Sequence, residues 1–255
     1  LNWSKNNMYP FNSEIKITEN MLFAVDYKNT LRAFNVSDGS ELWNFQTENS
    51  FTISDTINSL IVVNNLVIFS SSIGDITAVD IENGLITWQL PTQSTNIINE
   101  SYKFRNSKLV SDKKSIIFSN NKDEFYSIDI KTGVANWINE VSSSVTPILI
   151  GNLIFTVSNE GYLHVIEKNN GNIIRITDLY KNYKEKKRVD IKPIGFVIGN
   201  RNLYLTNSDG QMLVVDLVTG KSIYNIKVAK SFVSKPFISN ENLFVIRKGS
   251  IIQYN

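Results

Sequence analysis

The sequence predicts an all-β fold assembled from repeated four-stranded antiparallel sheets, a β-propeller, and three observations carry that expectation. The first is a recurring stretch, clearest at Gly74–Trp88 as GDITAVDIENGLITW: a strand ending in an acidic residue, a tight glycine turn, and a second strand closed by tryptophan. It returns at Asn29–Trp43, Asp123–Trp137, Gly161–Arg175 and Gly210–Tyr224, and begins once more at Gly249. The second is spacing. The turn glycines Gly39, Gly84, Gly133, Gly171 and Gly220 lie 45, 49, 38 and 49 residues apart, the period of a propeller or solenoid. The third is the pattern within strands. Ile76, Ala78 and Asp80 share one face and Thr77 and Val79 the other, so both faces carry apolar groups, as a sheet between two neighbours requires. No run places apolar residues at i, i+3, i+4 and i+7.

Taken in order, the chain opens with a strand-like segment, Leu1–Lys5, that has no partner before it. After Pro10, two apolar runs, Glu14–Thr18 and Met21–Asp26, lead into the first copy of the unit. The second repeat shows the full blade: Leu60–Val63, a turn at Asn64–Asn65, Leu66–Ser71, then Asp75–Asp80 and Leu85–Leu90. Four short strands with a turn at each joint match a propeller blade. Asp38-Gly39 and Asn83-Gly84 are strong hairpin signals, because such turns need positive φ. The last repeat supplies Phe232–Ile238, Leu243–Ile246 and Gly249–Tyr254, three strands without a fourth. Leu1–Lys5 contains Trp3, the residue type that ends the fourth strand in three other repeats. Its pairing there would complete a sixth blade and remove a free sheet edge. The expectation is therefore one propeller domain over residues 1–255, six blades closed by the N-terminal strand.

Composition narrows the function classes. A net charge of +2 argues for neither nucleic acid nor an acidic partner. No stretch reaches the roughly 18 consecutive apolar residues of a membrane helix. With no cysteine, disulfides, thiolate metal sites and cysteine nucleophiles are excluded, and with His164 the only histidine, multi-histidine metal sites are too. His164 sits mid-strand in YLHVIE and reads as structural. The chain begins at Leu1 rather than methionine, as expected where a leader or tag has been removed.

The repeated residues have a structural reading. Trp3, Trp43, Trp88 and Trp137 each close a repeat, where a large flat ring wedges between neighbouring sheets and buries about 150–250 Å². Asp80, Asp129 and Asp216, with Glu167 in the fourth repeat, stand a whole repeat apart. Each is expected to accept backbone N–H groups of its own turn rather than to join a metal or acid–base cluster.

These residues resemble the PQQ-like, quinoprotein-type repeat family, whose motif runs roughly A-x-D-x-x-T-G-x-x-x-W. Ala78, Asp80, Gly84 and Trp88 match it, as do Asp129, Thr132, Gly133 and Trp137. Asp216, Thr219 and Gly220 match with Tyr224 in place of tryptophan, and the fourth repeat departs further with Glu167 and Arg175. With its opening Trp3-Ser4 pair leading into the first repeat and its later stretches GYLHVIEKNNG and ENLFVIRKGSIIQYN, the chain looks most like the BamB family of scaffold lipoproteins of the outer-membrane β-barrel assembly machinery. The resemblance implies a non-enzymatic, monomeric envelope scaffold with protein partners and no cofactor, in the periplasm or on the periplasmic face of the outer membrane. That family has eight blades, so the alternative is that these six are part of an eight-bladed ring. A second alternative is a PQQ-dependent enzyme or small-molecule binder, which the family's dehydrogenases build from a calcium site, a catalytic aspartate and a tryptophan floor.

Two segments are candidate contacts for a protein partner. One is the irregular stretch Tyr180–Lys192, in which Tyr183, Lys184, Lys186, Lys187 and Arg188 form a cationic loop with an aromatic neighbour. The other is Ser101–Arg105, where Tyr102, Phe104 and Arg105 are residue types common at interface hot spots.

Overall fold

A computed structural model of the chain describes residues 1–48, 57–92, 106–120, 122–230 and 233–254. They form an all-β protein with the sheets of a β-propeller, in two compact units, Leu1–Ile138 and Asn139–Asn255.

The first unit contains three four-stranded sheets. In the first, β1 (Lys16–Thr18), β2 (Met21–Val25), β3 (Thr30–Asn35) and β4 (Glu41–Gln46) pair in chain order. The second repeats the meander with β5 (Leu60–Val63), β6 (Leu66–Ser70), β7 (Ile76–Asp80) and β8 (Ile86–Leu90). The third has β9 (Val110–Ser111), β10 (Ser115–Ser119), β11 (Phe125–Asp129) and β12 (Ala135–Asn139), its last strand reaching the unit boundary.

The second unit repeats the pattern twice, with β13 (Ile148–Ile150), β14 (Leu153–Val157), β15 (Tyr162–Glu167) and β16 (Ile173–Asp178), then a short helix, α1 (Glu185–Arg188). The fifth sheet is β17 (Pro193–Gly199), β18 (Asn202–Asn207), β19 (Gln211–Asp216) and β20 (Ser222–Lys227). The sixth, β21 (Phe237–Ser239), β22 (Asn242–Arg247) and β23 (Ser250–Tyr254), has three strands.

The sixth sheet corrects one expectation. Leu1–Lys5 lies outside any strand and does not supply a fourth member to that sheet among the described residues. The segment is held by one side chain rather than by a backbone ladder. Trp3 Nε1 donates to the Val36 carbonyl at 2.7 Å and its ring lies over Gly39, while Leu1 is fully exposed.

The same contact joins the first sheet to the second and the second to the third. Trp43, on β4, donates to the carbonyl of Ile81 at 3.0 Å, and Trp88, on β8, to that of Ile130 at 2.9 Å. Each acceptor directly follows the residue that ends the third strand of the next sheet, and each ring covers the next sheet's turn glycine. The glycines meet two demands. Gly84 and Gly133 sit at φ +70° and +71°, and a Cβ added to either would lie 2.6 Å from the nearest ring atom of Trp43 or Trp88. Apolar side chains fill the rest of each joint. Phe23, Leu31, Val67 and Phe69 make one shared core between the first two sheets, and Ile68, Ile76, Ile116 and Phe118 make another between the second and third.

The fourth repeat lacks the tryptophan, yet the joint survives with different chemistry. Arg175 donates from Nη1 to the carbonyl of Val218 and from Nη2 to that of Leu217, the position matching Ile81 and Ile130. Thr177, not an indole, borders Gly220. A guanidinium fork thus replaces a ring by satisfying two carbonyls where the indole satisfies one.

A second regularity is not apparent from the motif. Ser13, Ser107 and Ser234 each accept, through Oγ, the N–H of the residue twelve positions later: Val25 at 2.7 Å, Ser119 at 2.9 Å and Ile246 at 2.9 Å. A small hydroxyl before the first strand thereby pins the end of the second.

The glycine–indole joint is testable. Gly133→Ala forces a side chain into positive φ and into the Trp88 ring, and is expected to destabilise the chain by about 2 kcal/mol or more. Trp88→Ala is expected to cost about 3–5 kcal/mol. Urea unfolding of the double variant should show a loss clearly smaller than the sum, because the alanine methyl at 133 then has room.

Candidate functional site

The basic segment between the fourth and fifth sheets is anchored from below and charged above. Tyr180 is fully buried. Its ring covers Gly161, whose Cβ would lie 2.1 Å away, and its hydroxyl donates to Asn207 Oδ1 at 2.8 Å. Burial pushes the Tyr180 hydroxyl far above the ordinary tyrosine range, so it stays a neutral donor. Tyr183 is half-buried and meets Tyr180 edge to face, centroids 5.4 Å apart, against the core of the fourth and fifth sheets. Ile191, also buried, closes the far end of the segment. Lys192 is tied back through its N–H to Ser208 Oγ at 2.9 Å and through its carbonyl to the Ser208 N–H at 2.8 Å.

Between these anchors the chain forms α1, one turn with Glu185 at its start and Lys186, Lys187 and Arg188 at its end, the order a helix dipole favours. Four residues are too few to leave a helical period, which is why the sequence reads as irregular. Arg188 is not a free cation. Its Nη2 reaches Asp178 Oδ1 at 2.8 Å and Oδ2 at 2.9 Å, and its guanidinium lies 5.9 Å from the centre of the Tyr162 ring.

The structure therefore divides the sequence-predicted contact residues. Tyr183 and Arg188 hold the loop to the sheet, while Lys184, Lys186 and Lys187, with Lys181 and Lys192, are exposed. Tyr102, Phe104 and Arg105 lie outside the described residues.

The motif carboxylates do local work. Asp129 Oδ1 accepts the N–H groups of Lys131 and Thr132 at 3.0 and 2.9 Å, and Asp216 Oδ1 accepts that of Thr219 at 2.6 Å. Asp80 Oδ1 takes those of Glu82 and Asn83 at 3.0 and 3.2 Å. Hydrogen bonds from Thr132 and Thr219 lower the carboxyl pKa values of Asp129 and Asp216, which keeps both ionised. Glu167 receives Asn170 Nδ2 at 2.6 Å, Gly171 lies buried in its turn, and Trp137 stacks on Phe125 at 6.1 Å. Among the described residues no three His, Cys, Asp or Glu side chains converge as a metal site.

A cavity of about 610 Å³ opens between the fifth and sixth sheets, walled by Tyr204, Ile238, Leu243 and Tyr254, with Glu241 as its one carboxylate. That donor set does not fit a calcium–quinone pair. His164 is 9% exposed, and its Nδ1 has no hydrogen-bond partner among the described atoms.

With this geometry in view, the comparisons with known proteins fall into place. The family profile described as outer membrane protein assembly factor BamB matches residues 1–177, more than half of the chain. The chain belongs to the BamB family. Among solved structures, BamB from Moraxella catarrhalis superposes with a TM-score of 0.77 at 13% identity, over 99% of this chain and 74% of that one. Sqt1 of Saccharomyces cerevisiae gives a TM-score of 0.67 at 12% identity, over 92% of this chain and 67% of its own. At such identities the likeness speaks to the fold. No curated protein matches the sequence. Among the described residues no helix is long and apolar enough to cross a membrane.

Burial gives His164 a pH signature. Desolvation lowers its pKa from the ordinary 6.5, and the nearby Glu160 charge opposes this only in part. The folded state therefore holds fewer protons than the unfolded one as pH falls from 6.5 towards the depressed value. Its contribution is complete above 6.5 and is lost on acidification. Urea midpoints measured from pH 7 to pH 5 should fall for the wild type and fall less steeply for His164→Gln.

Proposed function

We propose that the protein is a non-enzymatic scaffold of the cell envelope that assists assembly of outer-membrane β-barrel proteins. In this reading the sheets of residues 1–255 act as one propeller domain of a monomeric lipoprotein, in the periplasm or on the periplasmic face of the outer membrane. The observation that carries it is the BamB-family match over residues 1–177. The docking surface supported best is the basic turn, with Tyr102, Phe104 and Arg105 as a second contact proposed from the sequence.

The turn suits that task physically. Tyr180, Tyr183 and the Arg188–Asp178 pair hold the backbone, so Lys184, Lys186 and Lys187 are displayed on a preformed support and little ordering entropy is lost on docking. Exposed ammonium groups steer an acidic protein surface and are screened by salt within about 8 Å at physiological ionic strength.

The test is an affinity pull-down of the tagged chain from solubilised envelope, read by mass spectrometry. A component of the barrel-assembly machinery should come down with the wild type and decline roughly tenfold, about 1.4 kcal/mol, with Lys184→Glu/Lys186→Glu/Lys187→Glu. Raising the salt should weaken the wild-type interaction in the same direction. Recovery of no such component by the wild type overturns the scaffold reading. Equal recovery by the variant moves the contact elsewhere on the protein.

A further inference from the structure

The cavity between the fifth and sixth sheets has walls set by strand register. Ile238 pairs with Leu243 and Leu243 with Tyr254, so one row across the three strands of the sixth sheet turns these side chains to a single face. Tyr204, on β18 of the fifth sheet, completes the wall. Gly199, at the end of β17, sets the spacing. A Cβ there would lie 2.5 Å from Ile238 Cδ1, so a side chain at this position would displace the isoleucine from its place. The volume of about 610 Å³ falls within the range of about 300–1,000 Å³ usual for small-molecule sites.

The cavity also carries a carboxylate where three other repeats place an amide. The residue directly before the second strand is Asn20 in the first sheet, Asn65 in the second and Asn152 in the fourth. Each donates from Nδ2 to the side chain that ends the third strand: Asn35 Oδ1 at 3.0 Å, Asp80 Oδ2 at 3.0 Å and Glu167 Oε1 at 3.4 Å. In the sixth sheet the same position is Glu241. It lines the cavity, and its carboxylate has no hydrogen-bond or ion-pair partner among the described residues. Its backbone stands at φ +64°, a conformation that asparagine tolerates better than glutamate. The turn alone therefore does not account for a glutamate there.

Two tyrosines and two aliphatic side chains beside one unpaired carboxylate suit a particular ligand chemistry. Aromatic rings attract a cation, and the aliphatic groups cover an apolar stem. An anion is repelled by Glu241, and a bare metal ion finds one carboxylate where it needs several oxygen ligands. We propose that this cavity binds an organic cation, an ammonium or guanidinium group on an apolar stem. Glu241 is its counter-ion, and Tyr204 and Tyr254 are its aromatic walls. Two sources carry that chemistry, a free small molecule and a basic side chain of a partner protein. The site is separate from the basic turn and does not rest on the scaffold reading.

The probe is choline, titrated against the full chain by isothermal calorimetry. The control is the neutral alcohol of the same shape in which carbon replaces the nitrogen. Choline should bind saturably and the neutral alcohol roughly tenfold more weakly. Glu241→Gln should weaken choline by a similar factor and leave the alcohol unchanged. Glu241→Asn, which installs the residue type of Asn20 and Asn65, should do the same while holding the urea midpoint at or above that of the wild type. Tyr204→Leu should weaken choline binding, and Tyr204→Phe should retain it. A second arm uses a short blocked peptide with one lysine among glycines and serines. Tighter binding of the peptide than of choline assigns the cavity to a protein side chain, and the reverse assigns it to a free small molecule.

Saturation by neither choline nor the peptide, equal binding of choline and the neutral alcohol, or indifference to both Glu241 variants overturns the proposal. Weakening by the Glu241 variants with Tyr204→Leu unchanged overturns its location in the cavity.

Discussion

The structure depends on an indole lying where a glycine has no side chain. The outer strands of the first and second sheets each project a tryptophan across the gap, its ring covering the next sheet's turn glycine and its N–H closing on a carbonyl there. Shape, hydrogen bonding and backbone conformation are set by one contact. The ring needs space that only glycine leaves, and the turn needs a positive φ that glycine adopts cheaply. The motif aspartate finishes the turn from inside by accepting its N–H groups. Aspartate, glycine and tryptophan thus recur together because they serve one joint, which explains a conspicuous motif with no catalytic content.

That logic also sets what could be read from sequence. Turn glycines at nearly constant spacing and tryptophans at fixed offsets reveal the sheets, and strands such as Leu60–Val63 agree with the structure residue for residue. Where one residue type performs another's job, the reading loses hold. Arg175 looks like a departure from the motif, yet its fork makes the contact an indole would make. The fate of Leu1–Lys5 was hidden for a related reason: a tryptophan in a strand-like segment signals a joint, and the joint forms through Trp3 without a ladder.

The candidate site was legible as charge and illegible as architecture. A run of lysines announces a cationic surface. It does not say that Tyr180 is core and Tyr183 half-buried, nor that Arg188 is committed to Asp178 ten residues earlier. Those roles depend on Gly161 and Asn207, which approach the loop only once the fourth and fifth sheets are stacked.

The joint between sheets has a direction. Socket and grip lie at different places in the repeat, the glycine turn before the last strand and the tryptophan on it, so the second sheet is held by the first and itself holds the third. A tandem copy of about 45 residues arrives with both halves of the connection. Such a gene segment can be duplicated or lost with its junctions already matched. Repeat number is then a quantity that evolution can change in whole steps, while a single altered glycine within a repeat spoils a junction made with its neighbour.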